Sequence, residues 1–398
     1  MNQQTSTWAK RLAAIGIFGL CFGYFASYIP YSMMTKMITK GMFEGMNGVG
    51  FTGFQIQPVV VFASSFGMLM FITLAGWWKY TTKFRVGHLT LPRPQWFTFI
   101  SGLCTAGVIM TTTLAYTFDG ISIVFAMLLM RGGVLVMAPM IDFLARKRKR
   151  HIYWPSWVAA GLSFAALLVS FLSKAGAALT VAAGINIGLY LFSYFIRILF
   201  MSNRAKSDDS IERRRYFTEE QLTANIVLFG SLLVIALFGR NMNADTVPGM
   251  LWYGFSAIPL TQYFWPIFFI GFFSYGTGLF GSLIFLDKRE NTFTVPANRA
   301  SSVVSGVIST YLLAFYFGSK SPDVSQLAGV ALILGAIFFL AWRAVVEKRA
   351  KARQGKITNP AMNASSQKGV GLGSHSREET PQMGKRSFVA ATEDARVN

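Results

Sequence analysis

The chain has 398 residues, of which 53% are hydrophobic and only 14% charged. Soluble domains carry closer to a quarter charged residues, so composition excludes a single soluble globule. The net charge of +20 would suit a nucleic-acid binder, but the basic residues sit in short loops between apolar runs and in the C-terminal segment, which is a membrane pattern.

Ten apolar segments follow one another along the chain: 12–34, 58–78, 95–117, 121–144, 154–173, 178–200, 222–239, 263–286, 293–317 and 324–342. Each approaches the roughly 20 apolar residues that cross a bilayer as a helix. Lipid cannot satisfy backbone groups, and no alternating barrel strands are visible, so the expected fold class is an all-α polytopic membrane protein. The stretch after Lys10-Arg11 lacks a small-residue cleavage site and is expected to stay as the first span. Cys21 and Cys104 both fall in apolar spans and read as packing residues, with no disulfide framework.

Loop charge alternates along these spans. One set of connections carries Lys79, Lys83, Arg85 and Arg93, then the run 146–150, then Arg204, Lys206 and 213–215, then Lys288-Arg289. The other set carries only Lys36, Lys40, Lys174, Arg240 and Lys320. Basic residues stay cytoplasmic, so both termini are expected there, in a bacterial inner membrane or a eukaryotic endomembrane. An odd number of spans per half inverts the second copy. The expected organisation is two inverted five-helix repeats, 1–177 and 178–353, joined by a charged cytoplasmic linker over 201–221. Residues 354–398 have a disordered composition, and the basic residues after the last span should meet anionic headgroups.

The repeat has a sequence signature. Asp119 precedes Arg131 by 12 residues with Phe125 midway, and Asp287 precedes Arg299 by 12 with Phe293 midway. The offset of 168 between them also maps Ala160-Gly161 onto Ala328-Gly329 and Gln57 onto Asn225. An arginine at bilayer depth costs about 2.5–3.5 kcal/mol on insertion scales and by default lines a polar pathway. Arg131 is therefore a candidate anchor for a carboxylate or phosphate by bidentate contact, with Gly132-Gly133 allowing close approach. Arg299, with Asn298 beside it and Pro296 before it, is its counterpart; a late helix start would leave it near the headgroups instead.

Asn186, Tyr190, Tyr194 and Arg197 recur on one face of the sixth span and suggest a cavity wall, although Tyr194 and Arg197 also suit interfacial anchoring, Arg197 by snorkelling. Gln57 and Asn225 are amides that either bind ligand groups or cap helix ends. Thr111, Thr112 and Thr113 are expected to bond back to their own helix. Tyr275, among Gly271, Gly276 and Gly278, is a lesser ligand candidate. No acidic residue is expected to be buried. His88, His151 and His375 are scattered, no phosphate or dinucleotide loop appears, and no nucleophile has a base in reach, so an enzyme is not expected.

The ten spans, the five-plus-five inverted repeat and the cytoplasmic termini resemble the drug/metabolite transporter superfamily over residues 10–345. Met130-Arg131-Gly132 is similar to a Leu-Arg-Gly step in some members. Pro296-Ala297-Asn298-Arg299 is similar to the Gly-Ala-Leu-Asn-Lys motif of nucleotide-sugar carriers, with Arg in place of Lys. Thr223-Ala224-Asn225 stands where those carriers place two asparagines, and Met34-Thr35-Lys36 where they place Asn-Lys. The resemblance implies a secondary-active carrier of a small organic metabolite, without a bound cofactor, working by alternating access. Arg131 and Arg299 make an anionic substrate the expectation. A broad exporter of neutral metabolites or drugs, and a non-transporting membrane scaffold, are the alternatives. Expected partners are the small solute and the anionic headgroups of the bilayer, with a homodimer compatible; nucleic acid is not expected.

Overall fold

The structure is a computed structural model that describes residues 16–86, 89–118, 122–144, 154–172, 180–201, 210–286 and 291–358. The chain forms two compact units, residues 1–347, which hold the candidate site, and 348–398. Asp119 and Asp287, the basic run 146–150, the three histidines and the tail after 358 lie outside the described residues.

Each of the ten apolar segments overlaps one helix. In chain order these are α1 (Gly16–Thr39), α2 (Gly53–Ala75), α3 (Trp96–Thr117), α4 (Ile123–Leu144), α5 (Trp154–Leu172), α6 (Val181–Phe200) and α7 (Ser210–Phe238), then α9 (Phe264–Leu286), α10 (Asn291–Phe317) and α11 (Val324–Thr358). A short helix, α8 (Val247–Ser256), fills the long connection before α9. Among the described residues, six stretches are long and apolar enough to cross a membrane: Gly53–Ala75, Trp96–Thr117, Val181–Phe200, Ile211–Asn241, Phe264–Ile284 and Asn298–Phe317. The chain is an α-helical membrane protein.

Its surface and interior confirm that solvent choice. Phe22, Phe192, Phe315 and Leu260 are exposed, whereas Arg131, Arg197, Glu220 and Arg299 are buried. A soluble fold of this size rarely exposes so many large apolar side chains or buries so many charges.

Local signals set the helix ends. Thr52 and Gln55 form a capping box at α2, with Gln55 N donating to Thr52 Oγ1 and Thr52 N to Gln55 Oε1. Gly76 ends α2 in the left-handed conformation at φ 65°, which glycine adopts without a Cβ penalty. Ser122 Oγ accepts from Phe125 N to start α4, and Thr180 Oγ1 accepts from Ala183 N to start α6.

Two boundaries depart from the sequence reading. First, a two-stranded antiparallel hairpin, β1 (Lys83–Val86) with β2 (Leu89–Pro92), rises from the α2–α3 connection, so the fold is not wholly helical. Lys83 pairs with Pro92 and Val86 with Leu89. Second, α7 begins at Ser210 instead of 222, so the second part of the expected linker is helical; residues 202–209 lie outside the described residues. The charges of 212–215 lower the average hydropathy there, but Tyr216, Phe217 and Leu222 bury against neighbours and carry the helix through.

The packing has a regular plan. α1 packs most extensively against α9, and α3 against α6. α2 also packs on α9, and α7 on α3; α1 meets α10, and α6 meets α4. α2 touches α7 directly, and α4 touches α10. The main core lies where α1, α4, α6 and α9 converge, around Tyr24, Tyr28, Phe125, Met127 and Tyr190.

Candidate functional site

The site begins with Arg131 on α4, which is only 5% exposed. Glycine beside it brings the helices close: a Cβ on Gly133 would lie 2.6 Å from Leu191 Cδ2 of α6. That approach sets the guanidinium against the α6 and α1 tyrosines. Arg131 Nη1 donates to Tyr190 Oη at 2.8 Å, and Nη2 donates to Tyr28 Oη at 3.1 Å and Tyr24 Oη at 3.3 Å. Its carbon also stands over the rings of Tyr28, at 5.7 Å, and Tyr190, at 6.0 Å. Phenol oxygens and ring faces thus replace the water a guanidinium would otherwise need. The cage has its own supports: Tyr28 and Tyr116 hydroxyls are hydrogen-bonded, and Tyr31 Oη meets Thr113 Oγ1 at 3.0 Å.

Arg299 on α10 is fully buried within the protein, on a helix that starts at Asn291. Its guanidinium carbon lies 4.8 Å from the ring centroid of Tyr194. Tyr190 and Tyr194 are one turn apart on α6, with ring centroids 5.0 Å apart. The two arginines therefore stand on neighbouring rings of a single helix.

A third arginine joins them. Arg197 does not snorkel. It is buried and grips Glu220 of α7, with Nε to Oε1 at 3.0 Å and Nη2 to Oε2 at 3.1 Å. Glu220 also accepts from Ser101 and Thr105 of α3. Glu219 is buried as well, accepting from Thr82 N, Gln95 N and Thr98 Oγ1 at the base of the hairpin. The expectation that no acid is buried is thus overturned. Taking 210–221 as a linker hid both glutamates, because a carboxylate looks solvent-exposed until its donors, from another helix, are known.

Beside these groups lies a cavity of about 80 Å³. Its wall includes Tyr24, Arg131, Tyr194, Arg197, Tyr275 and Asn298, with Gly278 and Gly281 of α9 opposite apolar Val108 and Ile109. Three buried side-chain atoms on this wall have no hydrogen-bond partner among the described residues: Arg131 Nε, Asn298 Nδ2 and Tyr275 Oη. Two are pure donors and the third is able to donate.

Of the expected ligand residues, Arg299, Tyr190, Gln57, Asn225 and Asn186 are not on the wall of this cavity. Gln57 Nε2 donates to Met110 O of α3. Asn225 Nδ2 donates to Gln221 O, and its Oδ1 accepts from Ser65 Oγ of α2. Asn186 Nδ2 donates to Thr111 O. These three amides tie helices together, and Gln55 supplies the cap considered for Gln57. Thr111, Thr112 and Thr113 each donate to a carbonyl one turn back. Lys36 donates to the carbonyls of Tyr116 and Phe118 at the end of α3.

Sequence reasoning missed the first tyrosine stripe. Tyr24, Tyr28 and Tyr31 recur at the same spacing as Tyr190, Tyr194 and Arg197. That matched spacing was a readable signal for a second wall on α1.

No family model matches the chain, and no curated protein matches it. A solved structure described as "Crystal structure of protein" aligns at 12% identity over 81% of this chain and 98% of that one, with a TM-score of 0.36. A likeness at that level carries no argument.

Proposed function

We propose that the chain is a secondary-active carrier of a small organic anion, working by alternating access between two inverted five-helix repeats, as the resemblance to drug/metabolite transporters implies. The observation that carries this is the pair Arg131 and Arg299, one from each half, standing on the adjacent rings of Tyr190 and Tyr194, with Arg131 and Tyr194 on the wall of one cavity. The Arg197 charge is offset by Glu220, whereas the side-chain hydrogen-bond partners of Arg131 are the hydroxyls of Tyr24, Tyr28 and Tyr190, so no carboxylate among them balances Arg131 on this layer. An anion completes such a layer electrostatically.

The packing plan supports the repeat. Exchanging α1 with α6, α2 with α7, α3 with α9 and α4 with α10 turns the α1–α9 contact into α6–α3, α2–α9 into α7–α3, and α1–α10 into α6–α4. The α2–α7 and α4–α10 contacts map onto themselves. A two-fold axis between halves demands that exchange. Ten spans and cytoplasmic termini follow from the same reading, which has no catalytic step and no cofactor.

The test is uptake by proteoliposomes of the purified chain, with carboxylated, phosphorylated and neutral solutes compared. Saturable, anion-selective uptake is expected; none, by a folded protein, would favour a membrane scaffold. Cysteines at Ser207 and Ser374, after replacement of Cys21 and Cys104, should label from one side; labelling from opposite sides removes the inverted repeat.

A further inference from the structure

The geometry points to a small acid, of about three to five carbons with one acidic head, as the ligand of the central cavity; this rests on the carrier reading and narrows it. Three independent observations converge on that class.

The first is the set of unmatched atoms. Arg131 Nε, Asn298 Nδ2 and Tyr275 Oη are buried on the cavity wall without a partner among the described residues. A buried donor left unmade costs about 1–3 kcal/mol, so such groups persist where something else completes them. Each is a donor that an acceptor oxygen would complete. Nη2 is taken by Tyr24 and Tyr28 and Nη1 gives one hydrogen to Tyr190, so Arg131 keeps Nε–H, one Nη1 hydrogen and its charge but no intact two-donor edge. A single carboxylate suits that arrangement better than a multiply charged group.

The second is the unequal charge balance of two arginines on the wall. Arg197 is held by Glu220 through both carboxylate oxygens. The Arg131 guanidinium is surrounded by phenols. The acidic head therefore belongs beside Arg131.

The third is room. A cavity of about 80 Å³ offers on the order of six water-sized positions, the space of a small acid and not of a nucleotide sugar. A Cβ on Gly278, one of the wall residues, would meet nothing within 4 Å.

The experiment is counterflow uptake into proteoliposomes of the full chain, with labelled lactate, butyrate, pentanoate, glycerol and UDP-glucose. At least one of the three acids should exchange, and glycerol and UDP-glucose should not. Gly278→Ala adds a methyl to empty space and should cut uptake of the largest transported acid by about tenfold, with the melting temperature unchanged. Asn298→Ala and Tyr275→Phe should each raise KM by about tenfold while leaving protein yield intact. Uptake of UDP-glucose or glycerol with all three acids refused overturns the small-acid inference and leaves a carrier. Uptake of an acid that Gly278→Ala, Asn298→Ala and Tyr275→Phe all leave unchanged also overturns it, because the ligand then lies elsewhere. Uptake of none of the five overturns both it and the anion-carrier reading.

Discussion

Arg197 on α6 holds both carboxylate oxygens of Glu220 on α7, at 3.0 and 3.1 Å, and neither side chain is exposed to more than a trace. Around the pair, Arg197 Nη2 also reaches Ser282 of α9, and Ser101 and Thr105 of α3 reach Glu220. One ion pair thereby joins four helices. Removing one partner leaves an uncompensated buried charge, which costs about 3–5 kcal/mol, whereas removing both leaves only a packing defect. Glu220→Gln and Arg197→Gln are each expected to lower the melting temperature in detergent clearly. Arg197→Met combined with Glu220→Met should lose less than the sum of the single methionine variants. Additive losses would mean that the two residues do not act as a pair.

Arg131 and Arg299 stand on the neighbouring rings of Tyr190 and Tyr194, from helices contributed by opposite halves. Arg131→Gln and Arg299→Gln should each reduce anion uptake by roughly a hundredfold, since a charged hydrogen bond is worth about 1.5–3 kcal/mol. Lysine keeps the charge but loses the planar fork that engages the tyrosines, so Arg131→Lys should restore uptake only partly. Full uptake by both glutamine variants, measured at matched protein density, would make the arginines structural.

Gly271 offers a packing test separate from the site. A Cβ there would lie 2.2 Å from Val60 O on α2, a backbone atom that has no rotamer to yield. Gly271→Ala should push α9 from α2 and destabilise by about 1–3 kcal/mol, read as a fall in melting temperature. An unchanged melting temperature would mean that the α2–α9 approach is looser than described.

Glu219 pins the hairpin. Its carboxylate accepts from Thr82 N at 3.0 Å and Gln95 N at 3.2 Å, on either side of β1 and β2, and from Thr98 Oγ1 at 2.9 Å. Glu219→Ala frees two backbone donors and should speed hydrogen exchange and proteolysis across 82–95, with transport affinity unchanged. Protection equal to the parent would show that the strand pairing alone holds the hairpin.

The sequence by itself determined the membrane class, the approximate positions of the apolar helices and the presence of Arg131 and Arg299 inside two of them. These are properties of composition and of local runs: a helix in lipid needs length and hydropathy, and a guanidinium inside such a run stands out whatever its neighbours. Arg197 was visible in the same way, but its partner was not. Snorkelling and ion pairing differ only in whether a carboxylate from another helix is within reach, and Glu220 lay in a stretch whose charge disguised it as a loop. Gln57, Asn225 and Asn186 show the same limit. An amide in an apolar helix must find partners, yet only the packing of α2, α3, α6 and α7 decides that these are other helices and not the cavity. The tertiary structure alone aligned Tyr24 and Tyr28 with Tyr190 around Arg131 and left three buried donors unmatched among the described residues, because hydrogen bonds between helices far apart in the chain leave no periodic trace in either one.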